Sequence, residues 1–126
     1  MQKKNILQHD HGRNTESVLK QMPDTSYFLD AAGAFQQLAD GSRLRIFWLL
    51  CHVEECVCNI AAAVEMTDAA VSHHLRNLRQ NDLIENRREG KEMYYRLADN
   101  EKAHLAHRIV DEYFQMACPN HSRNPA

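Results

Sequence analysis

Apolar residues recur at helical spacing from Tyr27 to Leu38 and again from Ser42 to Cys51, with Asp40-Gly41 breaking the run. The pattern predicts two helices, the second opened by Ser42 as N-cap and burying Leu44, Phe47, Trp48 and Cys51. Asn59 to Val64 reads as a short helix, Glu65-Met66-Thr67 as a turn, and Asp68 to Gln80 as a longer helix capped by Thr67. Two short helices across a three-residue turn make a helix-turn-helix. In the longer helix Val71, Leu75 and Leu78 form a stripe for burial, and Ala69, Ser72, His73 and Arg76 occupy another face.

Leu83 to Arg88 and Glu92 to Leu97 carry the β-branched and aromatic residues of strands and flank Glu89-Gly90-Lys91, a tight glycine turn. Beyond Asp99-Asn100, the segment Glu101 to Ala117 spreads Leu105, Ile109, Val110, Tyr113, Phe114 and Met116 over a wide helical arc. So much apolar surface on a terminal helix calls for a partner, and a second copy of the chain is the expected one. Residues 1–26 are polar, with Gly12 and Pro23, and read as a flexible arm with a helix near Thr15 to Gln21. Residues 118–126, holding Cys118, His121 and two prolines, read as a tail. Residues 27–117 are left as one domain, mainly α with a small β-hairpin: a winged helix-turn-helix.

The length of 126 residues bounds the chain to one domain, and 44% hydrophobic with 25% charged residues is ordinary for a folded soluble protein. No apolar run approaches the roughly 20 residues of a membrane span. The polar start lacks the core of a signal peptide, so a cytoplasmic location is expected. The net charge of −2 conceals local signs. Glu54, Glu55, Glu65 and Asp68 make the stretch 54–68 purely acidic, whereas Arg76, Arg79, Arg87, Arg88, Lys91 and Arg96 gather downstream.

A helix face of small, polar and basic residues suits a major groove, where arginine donates bidentately to guanine and alanine permits close approach. Taken alone, such a face is also an ordinary solvated surface. The preceding short helix and the following basic hairpin favour DNA, because they put phosphate contacts on both sides of the reading element. The candidate DNA-binding residues are Thr67, Ser72, His73, Arg76, Arg87, Arg88 and Lys91. No glycine-rich phosphate loop, catalytic triad or two-spaced redox cysteine pair is present, so the sequence does not read as an enzyme.

The runs Leu38-Ala39-Asp40-Gly41-Ser42-Arg43-Leu44-Arg45, Glu55-Cys56-Val57-Cys58-Asn59-Ile60-Ala61 and Ala70-Val71-Ser72-His73-His74-Leu75-Arg76-Asn77-Leu78, followed by Arg88-Glu89-Gly90-Lys91 and Tyr94-Tyr95-Arg96-Leu97, resemble the ArsR/SmtB family of metal-sensing repressors. The resemblance spans about Phe28 to Met116. It implies a dimeric winged helix with a recognition helix at Thr67 to Gln80, a wing at Leu83 to Leu97 and dimer contacts from terminal helices. It also implies that the metal-free protein represses genes of metal efflux or resistance and that the metal weakens DNA binding; two recognition helices in successive major grooves lead to the expectation of an imperfect inverted repeat as operator.

Cys56 and Cys58 are candidate ligands. In a regular helix their spacing turns the side chains about 200° apart, whereas an extended or turn geometry before a helix at Asn59 lets both reach one ion. That helix start would favour their thiolate forms. The same two cysteines also fit as small core residues. Two thiolates leave a site incomplete, and His9 and His11 are candidates to fill it, unless they belong only to a solvated arm. In CadC-like relatives the corresponding cysteines join ligands, often cysteines, from the other subunit's arm; this arm has histidines. The donor set points to cadmium, lead or zinc as effector. Arsenite or antimonite, or a thiol redox signal, is the alternative. A second family site would fall on Asp99, Glu101, Glu112 and Gln115, of which Asp99 matches; His104, His107 and Asp111 share a face of the same helix.

Overall fold

The computed structural model describes residues 6–117 and divides between Ala32 and Gly33 into two compact units. The first contains α1 (Thr15–Gln21) and most of α2 (Thr25–Gln37). Met22 ends α1 in an extended conformation, as the residue before Pro23 must. α2 starts two residues ahead of the expected Tyr27 because Asp24 Oδ2 accepts from the backbone N–H and hydroxyl of Ser26, at 3.4 and 3.1 Å. The boundary expected after residue 26 therefore lies inside α2.

In the second unit α3 (Gly41–His52), β1 (Glu55–Cys56), α4 (Val57–Val64) and α5 (Asp68–Gln80) precede β2 (Ile84–Glu89), β3 (Glu92–Leu97) and α6 (Glu101–Ala117). Asp40, not Ser42, caps α3: its Oδ1 accepts from Arg43 N at 2.9 Å, which holds the carboxyl below its usual range. The buried face of α3 is Ile46, Phe47 and Leu50, so Trp48 is 40% exposed, contrary to the sequence reading, while Leu44 and Cys51 are half-buried. Against that face pack Ile60 and Val64 of α4, Val71, Leu75 and Leu78 of α5, Leu83 and Ile84, and Ala106 and Val110 of α6.

Glu65 turns the chain from α4 into α5 in the left-handed region (φ 58°), and Thr67 Oγ1 caps α5 by accepting from Ala70 N at 3.1 Å. The hairpin pairs from Ile84↔Leu97 to Glu89↔Glu92, closed by Gly90 at φ 63°. It belongs to a three-stranded antiparallel sheet ordered β1-β3-β2, because Glu55 and Cys56 pair with Tyr95 and Tyr94. Among the described residues no helix is long and apolar enough to cross a membrane. Cys118 and His121 lie outside the described residues.

Candidate nucleic-acid interface and thiol site

Burial of Val71, Leu75 and Leu78 turns the opposite face of α5 outward, leaving Ala69, His73 and Arg76 exposed and Ser72 half-buried. Thr67 spends its hydroxyl on the cap, although its side chain remains exposed. Asn77, which the sequence reading passed over, lies one turn from His73, with Nδ2 3.3 Å from His73 Nε2, and so extends the polar face. Behind this face Arg43 fastens the helices together: Nη1 donates to Gln37 Oε1 at 2.7 Å and Nε to His74 Nδ1 at 3.1 Å. Burial, and then the Arg43 charge, lower the His74 pKa, so the neutral ring is favoured as acceptor.

In the wing, Arg88 and Lys91 are exposed near the tip. Arg87 is held differently. Its guanidinium donates bidentately to Glu54 at 2.7 and 2.8 Å, reaches Glu89 Oε1 at 2.9 Å and lies 5.3 Å from the Tyr94 ring centroid. Glu54 also meets Arg96 at 3.7 Å, and its hydrogen bond from Arg87 keeps its carboxyl below the usual range. Arg87 is thus a clasp between the wing and the segment before β1, which leaves Arg88 and Lys91 as the wing's open cations among the expected contacts.

The thiols occupy the joint between sheet and helix-turn-helix. Cys56 is the N-cap of α4, extended and 9% exposed. Cys58 is exposed and already in the first helical turn, because α4 begins at Val57 and not at Asn59. Its Sγ donates to Asp68 Oδ2, 3.5 Å away at the first residue of α5. That hydrogen bond, reinforced by the carboxylate charge, raises the Cys58 pKa, against the thiolate bias expected there from the helix start. Cys51 is pushed up to about 12 by burial and then by the Asp111 charge, so it remains a thiol at neutral pH.

The bacterial regulatory proteins of the arsR family match residues 40–86, from the cap of α3 into β2. A CadC homolog of Staphylococcus aureus, a cadmium resistance transcriptional regulatory protein, is 37% identical over 105 residues, covering 78% of this chain and 83% of that one. This chain belongs to the arsR family. An SmtB homolog of Synechocystis, a transcriptional repressor, is 47% identical over 77 residues, covering 61% of this chain and 58% of the relative, less than two thirds of its length. In solved structures, the homodimeric winged helix-turn-helix DNA-binding domain of a possible ArsR-family regulator from Mycobacterium bovis is 28% identical, with a TM-score of 0.63 over 92% of this chain and all of that one. As an arsR-family protein with this fold, the chain is a DNA-binding transcriptional regulator and not an enzyme.

The donor chemistry of the thiol pair fits a soft cation: two sulfurs two positions apart at the start of α4, one open to solvent, with a carboxylate beside it. The pair is incomplete by itself. Among the described residues it joins no group of three ligand atoms within 4.8 Å of one another. His9 and His11 are both exposed in the first unit, their rings stacked 5.6 Å apart. On α6 the three residues grouped by the sequence reading separate: His104 pairs with Asp99 at 3.0 Å, and His107 with Asp111 at 2.9 Å.

Proposed function

We propose that this arsR-family regulator is a homodimeric repressor that leaves its operator, an imperfect inverted repeat, when a soft or borderline metal ion (cadmium, lead or zinc) binds Cys56 and Cys58, and that it controls metal efflux or resistance genes. His9 and His11 are the candidates to complete the site. The observation that carries the reading is the hydrogen bond from Cys58 to Asp68, which links the thiol pair to the first residue of the recognition helix. A bound metal would supply a cation that stabilises thiolates. A Cys58 that gave up its proton to hold the ion could no longer donate to Asp68, so the hydrogen bond across the α4–α5 joint would be lost. β1 carries a change at Cys56 into the wing through its pairing with Tyr94. Both DNA-contacting elements therefore answer to the same pair of sulfurs.

Major-groove reading falls to His73, Arg76 and Asn77, with Ser72 and Thr67 at the edges, and phosphate contact to Arg88 and Lys91. Dimerisation is supported by α6, which leaves Leu105, Ile109, Tyr113 and Phe114 exposed.

Metal and operator must weaken each other by the same factor, and a useful switch needs about 5- to 150-fold, or roughly 1 to 3 kcal/mol. The test is fluorescence anisotropy on an inverted-repeat duplex titrated with cadmium, lead and zinc. Cys56→Ser and Cys58→Ser are expected to give dimers that bind DNA without metal and are not released by it, and His9→Ala with His11→Ala to weaken the response. Release of the double cysteine variant at the wild-type metal concentration would overturn the site.

A further inference from the structure

A second set of ligands lies away from the thiols, on helices that the proposed sensor does not use. His52 is at the C-terminal end of α3, and His107 and Asp111 stand one turn apart on α6. One carboxylate faces both rings: His52 Nε2 is 3.6 Å from Asp111 Oδ1, and His107 Nε2 is 2.9 Å from Asp111 Oδ2. The imidazoles meet edge to face with centroids 5.1 Å apart, and one ligand atom from each residue falls within 4.8 Å of the other two.

These spacings are within reach of a coordination shell. Zinc bonds of about 2.0 to 2.2 Å to nitrogen and oxygen, at tetrahedral angles, set neighbouring ligand atoms about 3.3 Å apart. The distances from the His52 and His107 nitrogens to the two oxygens of Asp111, 3.6 and 2.9 Å, lie on either side of that value. His107 Nε2 adds an independent sign. It is shielded from solvent and, despite its closeness to Asp111, makes no hydrogen bond with it. A buried ring nitrogen without a hydrogen bond is costly, and a cation accepting its lone pair would satisfy it. Two imidazoles and one carboxylate suit a borderline divalent ion, and half-burial leaves a fourth position for water.

We propose that His52, His107 and Asp111 form a zinc site within one chain, separate from the thiol pair, fastening the end of the helix that leads into the helix-turn-helix to the helix that carries the open apolar face. The chain holds its own reporter. Trp48 is its one tryptophan, and its ring centroid lies 4.6 Å from that of His52.

The test uses full-length protein bearing Cys56→Ser and Cys58→Ser, titrated with zinc by calorimetry and by Trp48 emission, so that the thiol reading and this one fail separately. Expected is a saturable zinc site with a stoichiometry of about one per chain and a change in emission that follows occupancy. Added to that background, His52→Gln or Asp111→Asn should lower the affinity of this site at least about tenfold and abolish the emission change, because loss of a direct ligand should cost no less than loss of an outer-shell partner. Far-UV circular dichroism checks the fold. Should Asp111→Asn unfold, His52→Gln, on an exposed helix end, decides. Absence of zinc binding in the background lacking Cys56 and Cys58, or unchanged affinity and emission in the variants, overturns the proposal.

Discussion

A thiol that donates to a carboxylate gives up its proton reluctantly, and Cys58 is in that position beside Asp68. Raising the thiol pKa leaves less thiolate at neutral pH, so metal affinity at the pair should fall as pH falls and rise as pH increases. Replacing Asp68 with asparagine removes the anion. The pH profile of Cys58 alkylation by iodoacetamide, followed on its peptide by mass spectrometry, should then move to lower pH, with a faster rate at neutral pH. An unmoved profile would remove Asp68 as the cause. Thr67 was legible as a cap from residue type and spacing. The thiol–carboxylate contact was not, because the α4–α5 turn brings together residues ten positions apart. The fixed role of Arg87 was hidden for the same reason, since Glu54 reaches it through the fold of the sheet.

At the scale of elements, α5 and the wing should divide their labour on DNA. Arg76→Ala is expected to cost about 1 to 3 kcal/mol on the operator and to relax sequence preference, as loss of a base-edge contact does. Lys91→Ala should weaken operator and unrelated duplexes alike and reduce the salt slope by about one. Anisotropy at several salt concentrations separates the two, and an Arg76→Ala protein with intact operator affinity would show that another element reads the sequence. α5, the hairpin and α6 were legible because each is long enough to display its period: the stripe Val71, Leu75, Leu78 and the bounds Glu101–Ala117 stand as expected. β1 was not, since two residues cannot display an alternation. The start of α4 was misplaced with it, and the half-exposure of Trp48 was missed because an apolar residue on a helix does not announce whether it faces a core or a neighbour.

Taken as a whole molecule, the second unit is a core with one unfinished wall. Phe35, Leu38 and Leu44 together with Ala106, Ile109, Val110, Tyr113 and Phe114 line an open apolar groove of about 370 Å³, and Leu105 adds to the exposed face of α6. A face of this kind is ordinarily covered. Leu105→Glu with Ile109→Glu changes two exposed side chains, 48% and 42% accessible, without entering the core. The variant should sediment as a monomer and lose operator affinity, because two half-sites then bind independently. A stable dimer would place the interface elsewhere.

The shortness of β1 has a consequence for solubility. It is one of the two edge strands of its sheet, and an edge with free N–H and C=O groups is a template for another chain. Two paired residues offer an incoming strand little length. The same brevity means that opening the edge at Cys56 sacrifices two residue pairs and leaves the β2–β3 ladder whole. The two-residue pairing at Cys56 can therefore open and reseat at little cost, while β2 and β3 remain paired.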